Sequence, residues 1–170
     1  QVNERWVYDA LGRVSSQSTP ARLSAGDSFF YANATYDLLN RVTQTSRPVS
    51  DADPTLQTST NYYEGLTARS IDALGKQATQ VANAVGQVVR STDHDGYYQG
   101  FDFDAFGNPV RVSDSAWATL QTGVYNIRGL RTTSMNVDLG SWSYGFNALG
   151  ELTSTTDANG KLSSASYDAL

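Results

Sequence analysis

An all-β fold of repeated antiparallel hairpins is what this 170-residue sequence predicts, and two observations carry the prediction. Glycine recurs on a ladder. Gly65, Gly75, Gly86, Gly96, Gly107, Gly129, Gly140, Gly150 and Gly160 lie 10 or 11 residues apart, with one rung vacant near Ala118. Between the glycines apolar and polar residues alternate with period two, as a half-buried strand requires. Trp142, Tyr144 and Phe146 fall on one side with Ser143 and Gly145 on the other, Phe101 and Phe103 alternate with Asp102 and Asp104, and Trp6 and Tyr8 flank Val7. No stretch carries a sustained helical period with caps. The full pitch is about twice the glycine spacing, because an aromatic followed by Asp or Asn returns at Phe103-Asp104, Tyr125-Asn126, Phe146-Asn147 and Tyr167-Asp168, spaced 22, 21 and 21.

Taken in order, the first unit is the clearest: Tyr8-Asp9-Ala10-Leu11-Gly12-Arg13-Val14. Its echoes are Tyr36-Asp37-Leu38-Leu39-Asn40-Arg41-Val42, Ile71-Asp72-Ala73-Leu74-Gly75, Phe103-Asp104-Ala105-Phe106-Gly107 and Phe146-Asn147-Ala148-Leu149-Gly150. A weaker turn unit lies half a pitch away, at Asp93-His94-Asp95-Gly96, Asp138-Leu139-Gly140 and Asp157-Ala158-Asn159-Gly160. Asp or Asn at a turn entrance accepts a hydrogen bond from the backbone two residues on. Glycine three residues later supplies the positive φ that closes a short hairpin loop, and Asn40 suits the same slot because Asn tolerates positive φ. The aromatic before Asp ends the incoming strand. The Leu or Phe just before Gly is expected to fold back as an apolar plug over the hairpin end.

The whole chain reads as a single repeat segment, regular over 65–170 and looser over 15–64, where the pitch stretches to 28 and then 35 residues (Tyr8 to Tyr36 to Ile71). Two enlarged surface loops are expected there. One is the serine-rich run Ser15 to Ala25, which holds Pro20. The other is Ser46 to Thr60, which holds Pro48 and Pro54. The chain stops inside a motif, at Tyr167-Asp168-Ala169-Leu170, and starts within a strand, which suggests a longer protein on both sides.

Composition narrows the function classes. Apolar residues make up 39% and there are 14 glycines, an ordinary globular share, so enough core material is expected and disorder is not. Twelve basic residues against 17 acidic ones give a net charge of −5 with no basic block, which argues against nucleic-acid phosphates as partners. No apolar run approaches the roughly 18 residues of a membrane helix. Cysteine is absent, so disulfides, thiolate metal sites and cysteine nucleophiles are excluded together.

Candidates for chemistry are few. His94 is the only histidine; beside Asp93, Asp95 and Gly96 it could suggest a metal site, but Asp93 and Gly96 already fill turn slots. The later ligands and closing Glu of a calcium loop are missing there and at Asp157-Ala158-Asn159-Gly160. The motif aspartates recur at every turn, which a catalytic pair does not do, and no Gly-x-Ser-x-Gly elbow occurs. Asp102 and Asp104 are expected on one strand face. Trp6, Trp142, Tyr144 and Phe146 are expected to plug the sheet as cross-strand aromatic pairs, with the adjacent pairs Tyr62-Tyr63 and Tyr97-Tyr98 the better candidates for exposed rings.

The units at Tyr8-Asp9 and Tyr36-Asp37 resemble the Tyr-Asp (YD) repeats of rearrangement hotspot (RHS) proteins, with interruptions from Arg5 to Leu170. Other copies drift: Lys76 and Glu151 stand where Arg is usual, and Ala82-Asn83-Ala84-Val85-Gly86 has lost the aromatic. The resemblance implies a continuous spiralling sheet closing into a shell around a toxin domain, in a bacterial protein exported to the outside or the cell surface. It implies no enzyme activity, cofactor or metal. The residues expected to matter are structural: Tyr8, Asp9, Gly12, Tyr36, Asp37, Asn40, Asp72, Gly75, Phe103, Asp104, Gly107, Phe146, Asn147, Gly150, Asp157 and Gly160. The family's Asp-Pro-x-Gly-Leu self-cleavage sequence is absent, since Asp53-Pro54 is followed by Thr55-Leu56. Expected partners are neighbouring repeats, an enclosed toxin domain and further copies through sheet edges, with no nucleic acid and no membrane span. The competing reading is a surface adhesin, fibre or carbohydrate-binding array. A hydrolase is the third.

Overall fold

A computed structural model describes residues 2–22, 25–50 and 53–168. The fold is all-β, with fifteen strands among the described residues, in which sheet neighbours are also chain neighbours. Every recorded pairing is antiparallel, from β1 and β2 at one end of the order to β14 and β15 at the other. The backbone packs as two compact units, Gln1–Gln80 and Val81–Leu170. The boundary between them falls inside β7 (Gln77–Ala82).

The first unit holds β1 (Trp6–Tyr8), β2 (Val14–Ser18), β3 (Tyr31–Tyr36), β4 (Val42–Ser50), β5 (Asp53–Glu64) and β6 (Thr67–Ile71). Its central hairpin is long, running from Gln44 opposite Thr60 to Ser50 opposite Asp53. This corrects the expectation of a loop over Ser46 to Thr60. The prolines misled because they usually break ladders, yet Pro48 lies opposite Leu56 within one. The pairing of β3 reaches only to Ser46 and that of β6 only to Thr60. Pro48 and Pro54 therefore sit in the outer part of the hairpin, where an outward N–H is not needed by a neighbouring strand. The other enlarged connection is shifted. Residues 14 to 18 form β2, and the chain then crosses from Thr19 to Phe30, tied by a two-way bridge between Asn3 and Ala21 at 2.9 Å. Gly65 closes the β5–β6 hairpin differently, as a two-residue turn between Glu64 and Thr67 with glycine first.

The second unit holds β8 (Val88–Thr92), β9 (Tyr98–Phe103), β10 (Pro109–Ser113), β11 (Thr119–Tyr125), β12 (Arg131–Asn136), β13 (Gly140–Phe146), β14 (Leu152–Thr156) and β15 (Leu162–Ser164). Its strands are three to seven residues long and the pairing shifts by one residue beside most turns, as at Val124/Tyr125 and Gly145/Phe146.

No apolar core of the expected kind forms. Among the described residues Ala21 is the one fully buried apolar side chain, and Ser18 and Ser113 are the buried polar ones. Apolar side chains are instead spread over the strands and the turn tips, where many are exposed. The expected plugs are the clearest casualty: Leu11, Leu39, Leu74, Phe106 and Leu149 are between 70% and 85% exposed. Each sits at the apex of its loop, where the side chain leaves the ladder rather than returning over it.

The aromatic side chains also pair otherwise than expected. One ring pair is present among the described residues, Tyr98 with Trp117. Elsewhere the partner is a guanidinium: Arg5 over Phe29, Arg13 over Tyr36, Arg41 over Tyr63, Arg69 over Tyr62, Arg90 over Tyr98 and Arg131 over Tyr144, at 3.7 to 5.3 Å. On a wet sheet face an Arg covers a ring with its planar group while keeping water on its other side, which a second ring cannot do.

Candidate functional site in the hairpin turns

One turn is used ten times among the described residues, starting at Asp9, Asp37, Asp72, Asn83, Asp93, Asp104, Asp114, Asn126, Asn147 and Asp157. Call its first residue i. The N–H of i donates to the carbonyl of i+4, and the N–H of i+3 donates to the carbonyl of i, as in Asp9 to Arg13 (2.8 Å) and Gly12 to Asp9 (3.0 Å). The side chain of i closes the loop from inside. Its Oδ1 accepts from the N–H of i+2 and of i+4, at Asp9 from Leu11 and Arg13, both 2.9 Å. The same pair of bonds is present at Asp37, Asp104 and Asn147, and at Asp72 and Asp157. Residue i+3 must turn left-handed: its glycines have φ between +74° and +89°, and Asn40 has φ 62°. Asp9, Asp37, Asp72, Asp104, Asn147 and Asp157 thus stand at turn entrances with Gly12, Asn40, Gly75, Gly107, Gly150 and Gly160 at i+3. Tyr8, Tyr36, Phe103 and Phe146 are the last residues of β1, β3, β9 and β13.

One of these turns escapes the sequence pattern, and one expected turn entrance is misplaced. Asp114 opens one whose i+3 residue is Trp117, with φ 64°. This fills the rung that looked vacant, and the signal was Asp114 itself, ten residues after Asp104. A left-handed backbone at a residue with a Cβ costs about 1–2 kcal/mol. Conversely, Asp138 does not open a turn. Asn136 does, accepting from Asp138 at 2.9 Å and Leu139 at 3.2 Å, because β12 and β13 close directly with Asn136 opposite Gly140. Asp104 also leaves the strand, so Asp102 and Asp104 do not share a strand face as expected. Asp102 instead takes Arg111 Nε at 2.7 Å.

At Asp9, Asp37, Asn83, Asp104 and Asn147 the residue at i+4 returns to the side chain of i with matched polarity, whereas Ala118 and Leu130, at i+4 of Asp114 and Asn126, carry no polar side chain. Where i is Asp, an acceptor, i+4 supplies a donor: Arg13 Nε to Asp9 at 2.6 Å, Arg41 Nε to Asp37 at 2.7 Å, Asn108 Nδ2 to Asp104 at 2.8 Å. Where i is Asn, whose Nδ2 donates, i+4 supplies an acceptor: Gln87 Oε1 for Asn83 at 2.9 Å and Glu151 Oε2 for Asn147 at 2.6 Å. Glu151 is therefore not a decayed Arg. It accepts from Asn147 Nδ2, which an Arg, having no acceptor, could not do.

These bonds set the carboxylates' chemistry. The backbone N–H of Arg13, with its guanidinium and the N–H of Leu11, holds Asp9 below its ordinary pKa, and Arg41 does the same for Asp37. The Asn108 side chain and backbone lower Asp104, and Thr55 lowers Asp53. Such groups stay charged and engaged, which suits a fastener and not a proton shuttle. His94 Nε2 lies 3.3 Å from Asp95 Oδ2, while Asp93 Oδ1 is occupied by the N–H groups of Asp95 and Tyr97. Among the described residues no three His, Asp or Glu side chains cluster as metal ligands.

Several side chains also join one hairpin to the next. Arg13 Nη1 donates to the Asp37 carbonyl at 3.0 Å and to Asn40 Oδ1 at 2.8 Å. Gln87 Nε2 reaches the Gly107 carbonyl and Arg128 Nη1 the Ala148 carbonyl. In return the Tyr36 hydroxyl donates to the Val14 carbonyl at 2.7 Å, Tyr63 to Val42 at 3.0 Å and Tyr167 to Leu152 at 2.9 Å. Tyr36, Tyr63 and Tyr167 thus each tie their strand to a residue that directly follows an earlier turn. Sequence spacing marked these positions but not their partners, which lie 15 to 22 residues away.

No protein-family model and no curated protein sequence matches the chain. Solved structures do. The crystal structure of TcdB2-TccC3-Cdc42 superposes with a TM-score of 0.77 at 13% identity, over 96% of this chain and 10% of that one. TcdB2-TccC3 gives 0.76 at 14% identity, again over 96% and 10%. The Photorhabdus luminescens Tc holotoxin pore gives 0.68 at 14% identity, over 92% and 9%. The chain spans about a tenth of the length of the solved chains that it matches. Its YD-like motifs lie at the hairpin turns, and its fold is that of a stretch of the TcdB2-TccC3 toxin proteins.

Proposed function

We propose that the chain is a non-catalytic wall segment of an RHS/YD-repeat shell, in a secreted bacterial toxin component that encloses and protects a toxin or effector domain. The observation that carries this reading is the superposition over 96% of the chain on TcdB2-TccC3, joined to the YD-like units at its turns. Two features of the geometry support it. The turn carboxylates are committed to backbone N–H groups, and turn-to-turn bonds from Arg13, Gln87 and Arg128 fasten hairpins to their neighbours, so the sheet resists opening at those hairpins. A continuous ladder also leaves few free strand edges to proteases or aggregation. Limited proteolysis of the full-length protein that contains this chain tests the reading. An enclosed domain should stay intact until denaturant opens the wall and then be cleaved quickly. Cleavage of every domain at the rate of a free domain, with the repeat region intact, would overturn it.

A further inference from the structure

The turn that starts at Asp114 differs from the other nine at one position. They carry Gly or, at Asn40, Asn in the left-handed slot, whereas this one carries Trp117. Burial does not repay the strain, because Trp117 is 67% exposed. Its one described ring contact is the edge of Tyr98, with centroids 6.0 Å apart and planes at 76°. A bulky residue held in a strained backbone with its ring left open points to something outside the fold that uses the ring.

Beside it lies a hollow of about 750 Å³ in the second unit, within the range of small-molecule sites. Its lining includes Gly100 and the buried Ser113; the Ser113 Oγ would lie 2.9 Å from a Cβ at Gly100, so the two strands approach closely there only because residue 100 has no side chain. The Arg90 guanidinium carbon lies 3.7 Å from the Tyr98 ring centroid and covers one face of that ring, which leaves Trp117 and Phe106 as the exposed rings of the lining. Asp102 also lines the hollow. Its Oδ2 holds Arg111 while Oδ1 keeps its lone pairs.

We propose that this hollow binds a neutral saccharide, with the Trp117 indole stacking on the apolar face of a sugar ring and Asp102 accepting from its hydroxyls. A pyranose presents what the lining asks for: C–H groups on one face and hydroxyls at the rim. A purely apolar ligand would strip water from Asp102 without replacing its hydrogen bonds. An anionic ligand would meet one lining cation, Arg90, against two carboxylates, Asp102 and Asp104. An added peptide strand has no edge to join, since β9 is paired with β8 on one side and β10 on the other. The site would add glycan recognition to a wall segment and does not depend on the wall enclosing anything.

Saturation-transfer NMR on the chain with maltotriose, cellotriose and triacetylchitotriose tests this, alongside thermal melting. At least one trisaccharide should bind saturably in the millimolar range. Trp117→Gly should weaken that binding at least about tenfold while raising the melting temperature by about 2–4 °C, because it relieves the left-handed strain. Trp117→Asn, which tolerates the same backbone, should lose binding too. Asp102→Asn should weaken binding with the fold retained, and Tyr97→Ser, an exposed ring outside the hollow, should leave it unchanged. Absence of binding to all three sugars, or binding that survives Trp117→Gly, overturns the site. A lower melting temperature for Trp117→Gly overturns the strain argument on which it rests.

Discussion

The two units, 1–80 and 81–170, share a turn and differ in what lies between turns. In the first, turn entrances at Asp9, Asp37 and Asp72 are separated by 28 and 35 residues, and a bridged crossing and a long hairpin fill the gaps. In the second they follow at 10 to 12 residues from Asn83 to Asn126, and again from Asn147 to Asp157. The i+4 chemistry differs in step. Two of the first unit's three turns carry Arg, and Arg13 continues into the next turn; none of the second unit's turns does. In the first unit the i+4 residue Arg13 itself reaches the next turn; in the second the turn-to-turn links come from Gln87 and Arg128, and i+4 ranges from polar partners matched to residue i, as at Asn108 and Glu151, to the apolar Ala118 and Leu130.

The turn glycines offer the strongest way to break this comparison. Gly107→Val in the second unit forces a β-branched residue into a left-handed backbone and brings its Cβ to 3.0 Å from Gln87, so a loss of about 2 kcal/mol is expected by urea unfolding. Gly75→Val in the first unit meets the same backbone penalty in open space and should cost about 1 kcal/mol. Native stability in both would mean that the turn does not need its left-handed residue.

Polarity matching is the next test. Asn147→Asp sets a carboxylate against Glu151 and should cost about 1 kcal/mol. Adding Glu151→Arg to it should restore most of the loss by recreating the pairing seen at Asp9 and Arg13. If the double variant stays as weak as the single one, the i+4 rule fails.

Acid separates the units without mutation. Asp9, Asp37 and Asp53 in the first unit and Asp104 in the second have lowered pKa values. Their contribution is complete above the ordinary carboxylate value of 3.8 and is lost as pH falls below it, toward the folded-state values. Hydrogen exchange at about pH 3 against about pH 5 should therefore show protection falling more in the first unit. Equal loss in both would detach the shifts from stability.

The smallest expected effects are at Arg13 and Arg128. Arg13→Ala removes the bond to Asp9 and the link to Asp37 and Asn40 from an accessible site, and should lower the urea midpoint slightly. Arg128→Ala, which removes a single link to Ala148, should do less still. A larger effect at Arg128 would show that the regular ladder leans on these links as much as the irregular one.

The sequence alone determined the turn, because everything in it is local. Asp, the two N–H groups that it accepts, the left-handed residue and the i+4 partner all lie within five consecutive positions, so composition and spacing expose them. The same locality revealed the all-β class and the antiparallel hairpins. It failed where local signals conflict with pairing: Pro48 and Pro54 read as a loop but lie in a long hairpin, and the apical Leu and Phe residues read as plugs but are exposed.

Tertiary structure decided what each side chain meets across strands. Arg covers Tyr36, Tyr62, Tyr63, Tyr98 and Tyr144, and Tyr36 reaches back to Val14. Gly100 and Ser113 meet closely in the lining of the hollow beside Trp117. These contacts join residues whose separation in the chain depends on strand length and register, and a one-residue slip would turn each strand's side chains to the other face. Turn chemistry is written in five residues; which ring an arginine covers is settled when two strands choose their register.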